Sequence, residues 1–439
     1  MYKMLLLGWA TGCPLTWPLV MLVRRLLLTI TPWLAPRANS APAGFPVSGN
    51  GLWYEKPGSV WSREFLPVGN GFLAAMTPGG TMQEITQLNI ESLWSGGPSA
   101  DPSYNGGNKQ PSEQTAMSQA MQQIRKTIIE SPNGEIDTLE VLTTDAGAYG
   151  SYASAGNLIS TLNSSGTVSN YARWLDLDAA VARTTWTQAS ASFIRETFCE
   201  NPTRTCTQRT AFTTRSSSRT LPSLTYAFSP LSLITQGLPT PSISCHDANT
   251  LRLNGTVGTP GMAYELLARA GSTGGSVFCR PVESSSSAAA NATITVLGAS
   301  EAWITWVGGT DYNINAGDAS HGFAFKGPDP HAGLVSLLSK APRTAAALLA
   351  AHTADVKATL NAFSLSLGAP ASKDTLSATT AALVDAYQVD EGHVYLENLL
   401  FNYGRYLLWS SARGVLPANL QGKWADGYGN AWSAGAYIL

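Results

Sequence analysis

The hydrophobic period of this chain changes once, near residue 330, and that change limits the folds open to it. From about 50 to 325 apolar and polar residues alternate, which is the period of a strand with one face in a core. The stretch Tyr171-Ala-Arg-Trp-Leu-Asp-Leu-Asp-Ala-Ala-Val-Ala-Arg-Thr-Thr-Trp186 reads this way, and 190–198 and 302–307 are β-branched or aromatic runs. Gly- and Ser-rich turns such as 271–276 and 284–287 separate them, a pattern that predicts a large β-sandwich. One helix interrupts, capped by Ser112 and ending near Glu130, with Met117, Met121, Ile124 and Ile128 on one face. After Pro330 the spacing turns to three and four, through Leu334, Leu337 and Leu338, then Ala345 to Ala351, Val356 and Leu360. A last helix runs from about Glu391 to Arg413, with Leu396, Leu399, Leu400, Tyr403 and Leu407 inward and Gly414 as its stop. A β part followed by an α part predicts separate domains rather than a βαβ sheet.

Charge excludes one class of partner. The whole chain balances 27 basic against 29 acidic residues. The first forty residues carry Lys3, Arg24, Arg25 and Arg37 and no acid, so the remainder is acidic and lacks the electrostatic footprint of a nucleic-acid binder. That amino end reads as a targeting leader. A start at Met21 gives a basic n-region at Arg24-Arg25, an apolar region to about Ala35, and small residues at Ala38, Ser40 and Ala41 for cleavage. A start at Met1 gives a stretch long enough to span a bilayer, weakened by Gly8, Gly12, Pro14 and Pro18. Either start sends the rest into the secretory path, with no stable membrane anchor once the leader is cleaved. Beyond Cys13 four cysteines remain, and the sequence-near pairs Cys199–Cys206 and Cys245–Cys279 are the favoured connectivity of three. Asn163, Asn254 and Asn291 each open an N-glycosylation triplet, which in an exported protein marks exposed loops. An extracellular protein is expected.

Motifs for chemistry are sparse. Gly69-Asn-Gly71-Phe-Leu-Ala74 matches a dinucleotide fingerprint, but Met76-Thr-Pro-Gly-Gly80 follows where a helix must start, so a tight sheet turn is the better reading. The five histidines show no metal-ligand spacing, no Cys-x-x-Cys is present, and no Gly-x-Ser-x-Gly elbow supports a serine nucleophile. Asp176 and Asp178 alternate onto one strand face, a spacing open to paired acid–base work but better read as a solvated face or a turn closure. Glu64, Glu84, Glu91 and Glu196 each sit beside an aromatic or apolar run and are open to being buried acids, but surface strand positions are the better reading for each. Trp94-Ser-Gly-Gly-Pro98 and Trp424-Ala-Asp-Gly-Tyr-Gly-Asn-Ala-Trp432 set indoles among turn formers, which suits either stacking on a sugar face or core filling under loops.

Longer motifs carry a resemblance. Trp61-Ser-Arg-Glu-Phe-Leu-Pro-Val-Gly-Asn-Gly-Phe-Leu-Ala-Ala-Met76, Gln87-Leu-Asn-Ile-Glu-Ser-Leu-Trp-Ser-Gly-Gly-Pro98, the Tyr171 segment, Phe401-Asn-Tyr-Gly-Arg-Tyr-Leu-Leu-Trp-Ser-Ser411 and Leu416-Pro-Ala-Asn-Leu-Gln-Gly-Lys-Trp424 together resemble glycoside hydrolase family 95, in its fungal secreted form. The resemblance implies hydrolysis of α-1,2-linked L-fucose, or of α-L-galactosides, from a fucosylated oligosaccharide or plant cell-wall glycan, without a cofactor. It implies a β-sandwich, a helical linker and an (α/α)6 barrel, with inversion driven by a glutamic acid and by an asparagine that an aspartate polarises. On this chain that layout assigns 1–40 to the leader, 41–327 to the sandwich, 328–390 to the linker and 391–439 to the start of the barrel.

The carry-over of residues then runs out. In the family an Asn-x-Asn motif follows the Trp matched by Trp432; here Ser-Ala-Gly-Ala-Tyr-Ile-Leu439 follows instead, and Asn430 precedes that Trp. No catalytic residue is therefore assigned, and the chain reads as a carboxy-terminally truncated member. Asn419, Gln421, Trp424 and Trp432 match the barrel-rim loop and are the candidate sugar contacts, with no metal ligand among them. The stretch Cys206-Thr-Gln-Arg209 reads as an irregular break in the strand pattern. The alternative is a non-catalytic glycan-binding sandwich. A lone barrel helix would also leave Leu399, Leu400 and Tyr403 without partners.

Overall fold

The computed structural model describes residues 40–94, 111–135, 151–213, 219–258, 261–282, 291–322, 324–367, 372–414, 416–418 and 422–427. The leader up to residue 39, the serine run 284–287, and Asn419, Gln421, Asn430 and Trp432 lie outside the described residues. The strands are β1 (Gly51–Tyr54), β2 (Leu66–Gly69), β3 (Leu73–Thr77), β4 (Gln83–Ile90), β5 (Asn157–Leu162), β6 (Ser169–Asp176), β7 (Val181–Gln188), β8 (Ala191–Glu200), β9 (Thr205–Phe212), β10 (Leu224–Ser229), β11 (Ser242–Asp247), β12 (Thr250–Thr256), β13 (Ala263–Thr273), β14 (Ser276–Val282), β15 (Asn291–Leu297) and β16 (Glu301–Thr310). The helices are α1 (Trp61–Glu64), α2 (Gln114–Glu130), α3 (Leu231–Ile234), α4 (His331–Lys340), α5 (Ala345–Ala358), α6 (Lys373–Ser377), α7 (Thr380–Ala386) and α8 (Val394–Ser411).

Two antiparallel sheets form the β part. One has nine strands in the order β1-β6-β7-β8-β9-β16-β13-β12-β11, the other seven in the order β14-β15-β10-β5-β4-β3-β2. Their inner faces meet through Leu88, Ile90, Leu158 and Tyr226 from one sheet and Leu266, Ile304 and Trp306 from the other. The alternation explains the central strands of the larger sheet. Leu266 and Ile304 point into the sandwich, while Leu267 and Val307 point outward onto Leu334 and Leu338 of α4. Likewise Trp303, Val181 and Phe198 meet Ala345 and Leu348 of α5. These strands are covered on both faces, so β13 and β16 read as near-continuous apolar runs.

The carboxy-terminal helices cover the sandwich, and residues 40–439 form one compact unit. Helix α8 buries Tyr395, Leu399, Tyr406 and Ser410. The Tyr395 and Tyr406 hydroxyls donate to the carbonyls of Gly49 and Pro67, each at 2.8 Å. The inward face expected from sequence is corrected at Leu400, which is 57% exposed. Leu399 is buried and Tyr403 packs on the core, so neither lacks a partner. Both sides of α8 are apolar, and only packing decides which one is covered. Helix α2 begins at Gln114 after a 3-10 turn at Pro111–Glu113, with no side-chain cap, so Ser112 does not cap it. Among the described residues its expected apolar face is not buried: Met121 and Ile128 are exposed, and Met117 and Ile124 are half-exposed.

Cys206-Thr-Gln-Arg209 is no irregularity. It forms the start of the buried strand β9, where Gln208 Nε2 donates to Thr86 Oγ1 at 2.9 Å. A disulfide joins Cys199 to Cys206 across the β8–β9 hairpin, and a second joins Cys245 of β11 to Cys279 of β14, linking the two sheets at their edges. Breaking a bridge of this kind costs about 2–4 kcal/mol, because the unfolded chain regains freedom. The double variant Cys245→Ala/Cys279→Ala is expected to lower the urea midpoint accordingly, whereas an unchanged midpoint would show that the sheet edges hold together without the bridge.

Candidate functional site

The site is built around the turn from β2 to β3. Asn70 is buried there, and its Oδ1 accepts from the amides of Phe72 (3.0 Å) and Leu73 (2.8 Å) while its Nδ2 donates to the Glu200 carbonyl (2.9 Å). Gly69-Asn-Gly71 is thus a tight sheet turn. Its glycines are required by what lies against them. A Cβ on Gly69 would lie 2.6 Å from the Ser410 carbonyl oxygen, and one on Gly71, whose φ is +87°, would lie 2.5 Å from the Arg413 backbone nitrogen. The Gly71 amide donates to the Ser410 carbonyl at 2.8 Å, so the carboxy-terminal end of α8 is bonded directly to the turn.

The chain then lays itself across the outer face of the smaller sheet. Lys423 is buried and donates to the Gly71 carbonyl at 2.6 Å, with Glu91 Oε2 3.5 Å away. Burial lowers the Lys423 ammonium to about 8, against the attraction of Glu91, and burial raises the Glu91 carboxyl against that of Lys423. Gln87 Nε2 and Asn89 Nδ2, both pointing outward from β4, donate to the Ala425 carbonyl at 2.6 and 3.0 Å. Trp424 Nε1 donates to Ser411 Oγ at 2.8 Å, and the Ser154 amide donates to the Gly427 carbonyl at 2.7 Å. Arg413 pairs with Asp355 of α5 at 2.8 Å and lies over the Trp409 ring at 4.7 Å.

Cavities flank this docked segment. One of about 470 Å³ is lined by Trp61, Phe65, Gln83, Asn157 and Asp426 among others; another of about 610 Å³ is lined by Phe72, Glu91, Arg204, Tyr312 and Arg413. A third, of about 390 Å³, holds Asp178, Asn398 and Arg405. Among the described residues each has one carboxylate in its lining: Asp426, Glu91 and Asp178 respectively. Inverting hydrolysis in its usual form needs two carboxyl groups facing one sugar, and none of these openings supplies both. Among the described residues no cluster of His, Cys, Asp and Glu could hold a metal ion.

Of the candidates named from sequence, Trp424 is seated as above; Asn419, Gln421 and Trp432 lie outside the described residues. Trp94 packs against the core with its ring nitrogen buried, which is the core-filling role. Asp176 closes a turn, its Oδ1 accepting from the Asp178 and Ala179 amides at 3.0 and 2.9 Å. Glu84 and Glu196 are not surface positions. Both are buried, Glu84 beside Arg195 at 3.7 Å and Glu196 between Arg183 at 3.0 Å and Arg209 at 2.7 Å. Asn163 is exposed in a loop; Asn291 is exposed at the start of β15, and Asn254 is half-buried within β12 rather than in a loop. Gln87, Asn89 and Lys423 were not singled out by sequence, because only the docking of the later segment gives their polar groups a shared partner.

Known proteins match in the same two parts. Residues 52–315 match the family described as Glycosyl hydrolase family 65, N-terminal domain, and residues 344–438 match the one described as Glycosyl hydrolase family 95 catalytic domain. More than half of the chain therefore belongs to the first of these families, and its carboxy-terminal part is similar to the second. Both matched models are of glycosyl hydrolase families. The chain is 33% identical over 391 residues to "Probable alpha-fucosidase A" of Aspergillus niger, covering 87% of this chain and 46% of that one. It is 31% identical over 395 residues to the protein of the same name in Aspergillus oryzae (88% and 51%), and 25% identical over 413 residues to "Alpha-L-fucosidase 2" of Arabidopsis thaliana (88% and 45%). The chain spans about half the length of these relatives.

Two measurements test the junction. Gly71→Ala must both adopt a left-handed backbone and push against Arg413, whereas Gly237→Ala, at φ +85° with nothing within 4 Å of the added atom, bears only the backbone strain of about 1–2 kcal/mol. Gly71→Ala is expected to lower Tm clearly more than Gly237→Ala, and equal losses would contradict the close contact. The second measurement concerns Glu200, whose Oε1 accepts from the Thr203 amide at 3.1 Å while Oε2 is buried without a partner. Burial, with Asp355 adding repulsion, pushes this carboxyl up to about 7. The folded value lies above the unfolded one of about 4.3, so stability from this group is complete at acid pH and drains away as pH rises to about 7. Glu200→Gln is expected to melt level with the native chain near about pH 4 and above it at about pH 8. A gap that does not change with pH would contradict the assignment.

Proposed function

We propose that this chain is the opening half of a secreted exo-glycosidase that removes terminal α-1,2-L-fucosyl, or α-L-galactosyl, residues from glycans with inversion. On this reading residues 1–40 are a cleaved leader, 41–327 the sandwich domain, 328–390 the helical linker and 391–439 the first part of an (α/α)6 barrel. The substrate is a fucosylated oligosaccharide or plant cell-wall glycan. The mature protein is extracellular and glycosylated at Asn163, Asn254 and Asn291. Asn419, Gln421, Trp424 and Trp432 line the sugar pocket at the barrel rim.

The observation that supports this reading is the single carboxylate that each cavity has among the described residues, beside a stretch, 422–427, whose Lys423 and Ala425 are bonded to the smaller sheet. Among the described residues, no cavity there brings an acid together with a water-aligning asparagine held by an aspartate, the set that the family resemblance implies. On this reading the chain alone is a fragment without catalytic residues. The expected outcome is that the folded 439-residue protein releases no free fucose from an α-1,2-fucosyl-galactose substrate above a blank. Release of fucose in proportion to protein added would overturn the fragment reading and require an acid and a base within residues 41–439.

A further inference from the structure

The groove of about 470 Å³ on the outer face of the smaller sheet has a lining that selects its ligand. Its floor is the outward side of β4 and β5, with Gln83, Ile85, Gln87 and Asn157; Trp61 and Phe65 form one wall, and Asp426-Gly427 closes an end. Among the described residues no lysine, arginine or histidine lines it. A phosphate, sulfate or carboxylate ligand would meet no counter-charge among these lining residues. The amides of Gln83 and Asn157 each offer both donor and acceptor, as an alcohol hydroxyl does. Trp61 is partly exposed while its ring N–H is buried, so the surface it gives the groove is ring carbon. Carbon faces beside two-way hydrogen-bonding groups suit a pyranose, which has CH on one side and hydroxyls around its edge.

The walls are fixed from below by buried charged groups. Arg173 is 1% exposed, and its Nε donates to the Lys56 carbonyl at 2.7 Å while one guanidinium nitrogen bonds the Glu64 carbonyl. These bonds bracket the Pro57–Phe65 wall on both sides. Tyr171 Oη donates to the Gly79 carbonyl at 2.6 Å, the Gly79 amide donates to Glu84 at 3.2 Å, and Arg195 holds the Thr81 carbonyl at 3.1 Å. Surface loops seldom receive this support, and a wall held before binding loses little freedom on binding. We infer that this groove is a binding subsite for an uncharged oligosaccharide, with Trp61 as the stacking platform and Gln83 and Asn157 as hydroxyl partners. The inference stands on the groove's own chemistry and does not need the chain to hydrolyse anything.

The test is calorimetric titration of the 439-residue protein with the trisaccharide fucosyl-α-1,2-galactosyl-β-1,4-glucose, with lactose, and with a sulfated galactose disaccharide. The expected result is saturable binding of the neutral sugars with Kd on the order of 1 mM, and none of the sulfated one. Trp61→Ala should weaken binding about tenfold or more, and Gln83→Ala, at an exposed position, should weaken it with Tm unchanged. Lactose binding as well as the trisaccharide would support the groove while counting against a fucosyl-specific function. Hydrolysis of the trisaccharide would contradict the fragment reading and leave the groove untouched. A flat titration with both neutral sugars, stronger binding of the sulfated sugar, or neutral binding unchanged in both variants would overturn the inference.

Discussion

The contact between the Gly69-Asn70-Gly71 turn and the end of α8 is the constraint on which the rest of the candidate site depends. Two missing Cβ atoms let backbone meet backbone, Asn70 fixes the turn from inside, and Ser410 accepts the Gly71 amide. Once α8 ends there, the following residues are delivered to the outward side chains of β4. Gln87 and Asn89 need an acceptor, and the Ala425 carbonyl supplies it. Lys423 then buries a charge against Glu91, a pairing that is weak as a source of stability but strongly penalised when one partner is removed. The segment is thereby fixed in one register rather than merely adsorbed.

Charge in this protein is used inside the sheets. Asp176, Arg183, Glu196, Arg209 and Glu301 run as a ladder across neighbouring strands of the larger sheet, each acid meeting an arginine on the next strand. Arg173, Arg195 and Glu84 do similar work beneath the groove wall, where they hold backbone carbonyls and amides. With only 13% of residues charged, many of those present are placed where they order loops.

The β part and the α part were legible because strand and helix periods differ; that the helices lie on the sandwich in one compact unit, rather than as a separate domain, was not, because only the outward apolar residues of β13 and β16 call for that cover. The turn at Gly69 was legible from the absence of a following helix. Its partner was not, since nothing local to Gly69 or Gly71 encodes Ser410 or Arg413. The face of α8 was misread at Leu400 because Leu400 and Leu408 make its outer side as apolar as its inner one. Glu84 and Glu196 looked like surface acids for a related reason. Their arginine partners lie one strand away, and register is set by the whole sheet rather than by the neighbouring residues. Sugar chemistry was suggested by the Trp94 and Trp424 segments, yet Trp94 fills core, and the indole that lines a groove is Trp61, whose role depends on the buried Arg173 behind it.

Native-state hydrogen exchange of the Gly71 amide tests this account most directly. If the end of α8 and the turn form one cooperative unit with the sandwich, that amide opens only when the sheets open, with an exchange free energy matching that of Leu266 and Ile304 in the central strands. Exchange of Gly71 at the rate of an unstructured peptide, while Leu266 and Ile304 stay protected, would show that the helix end and the segment after it are not held by the turn.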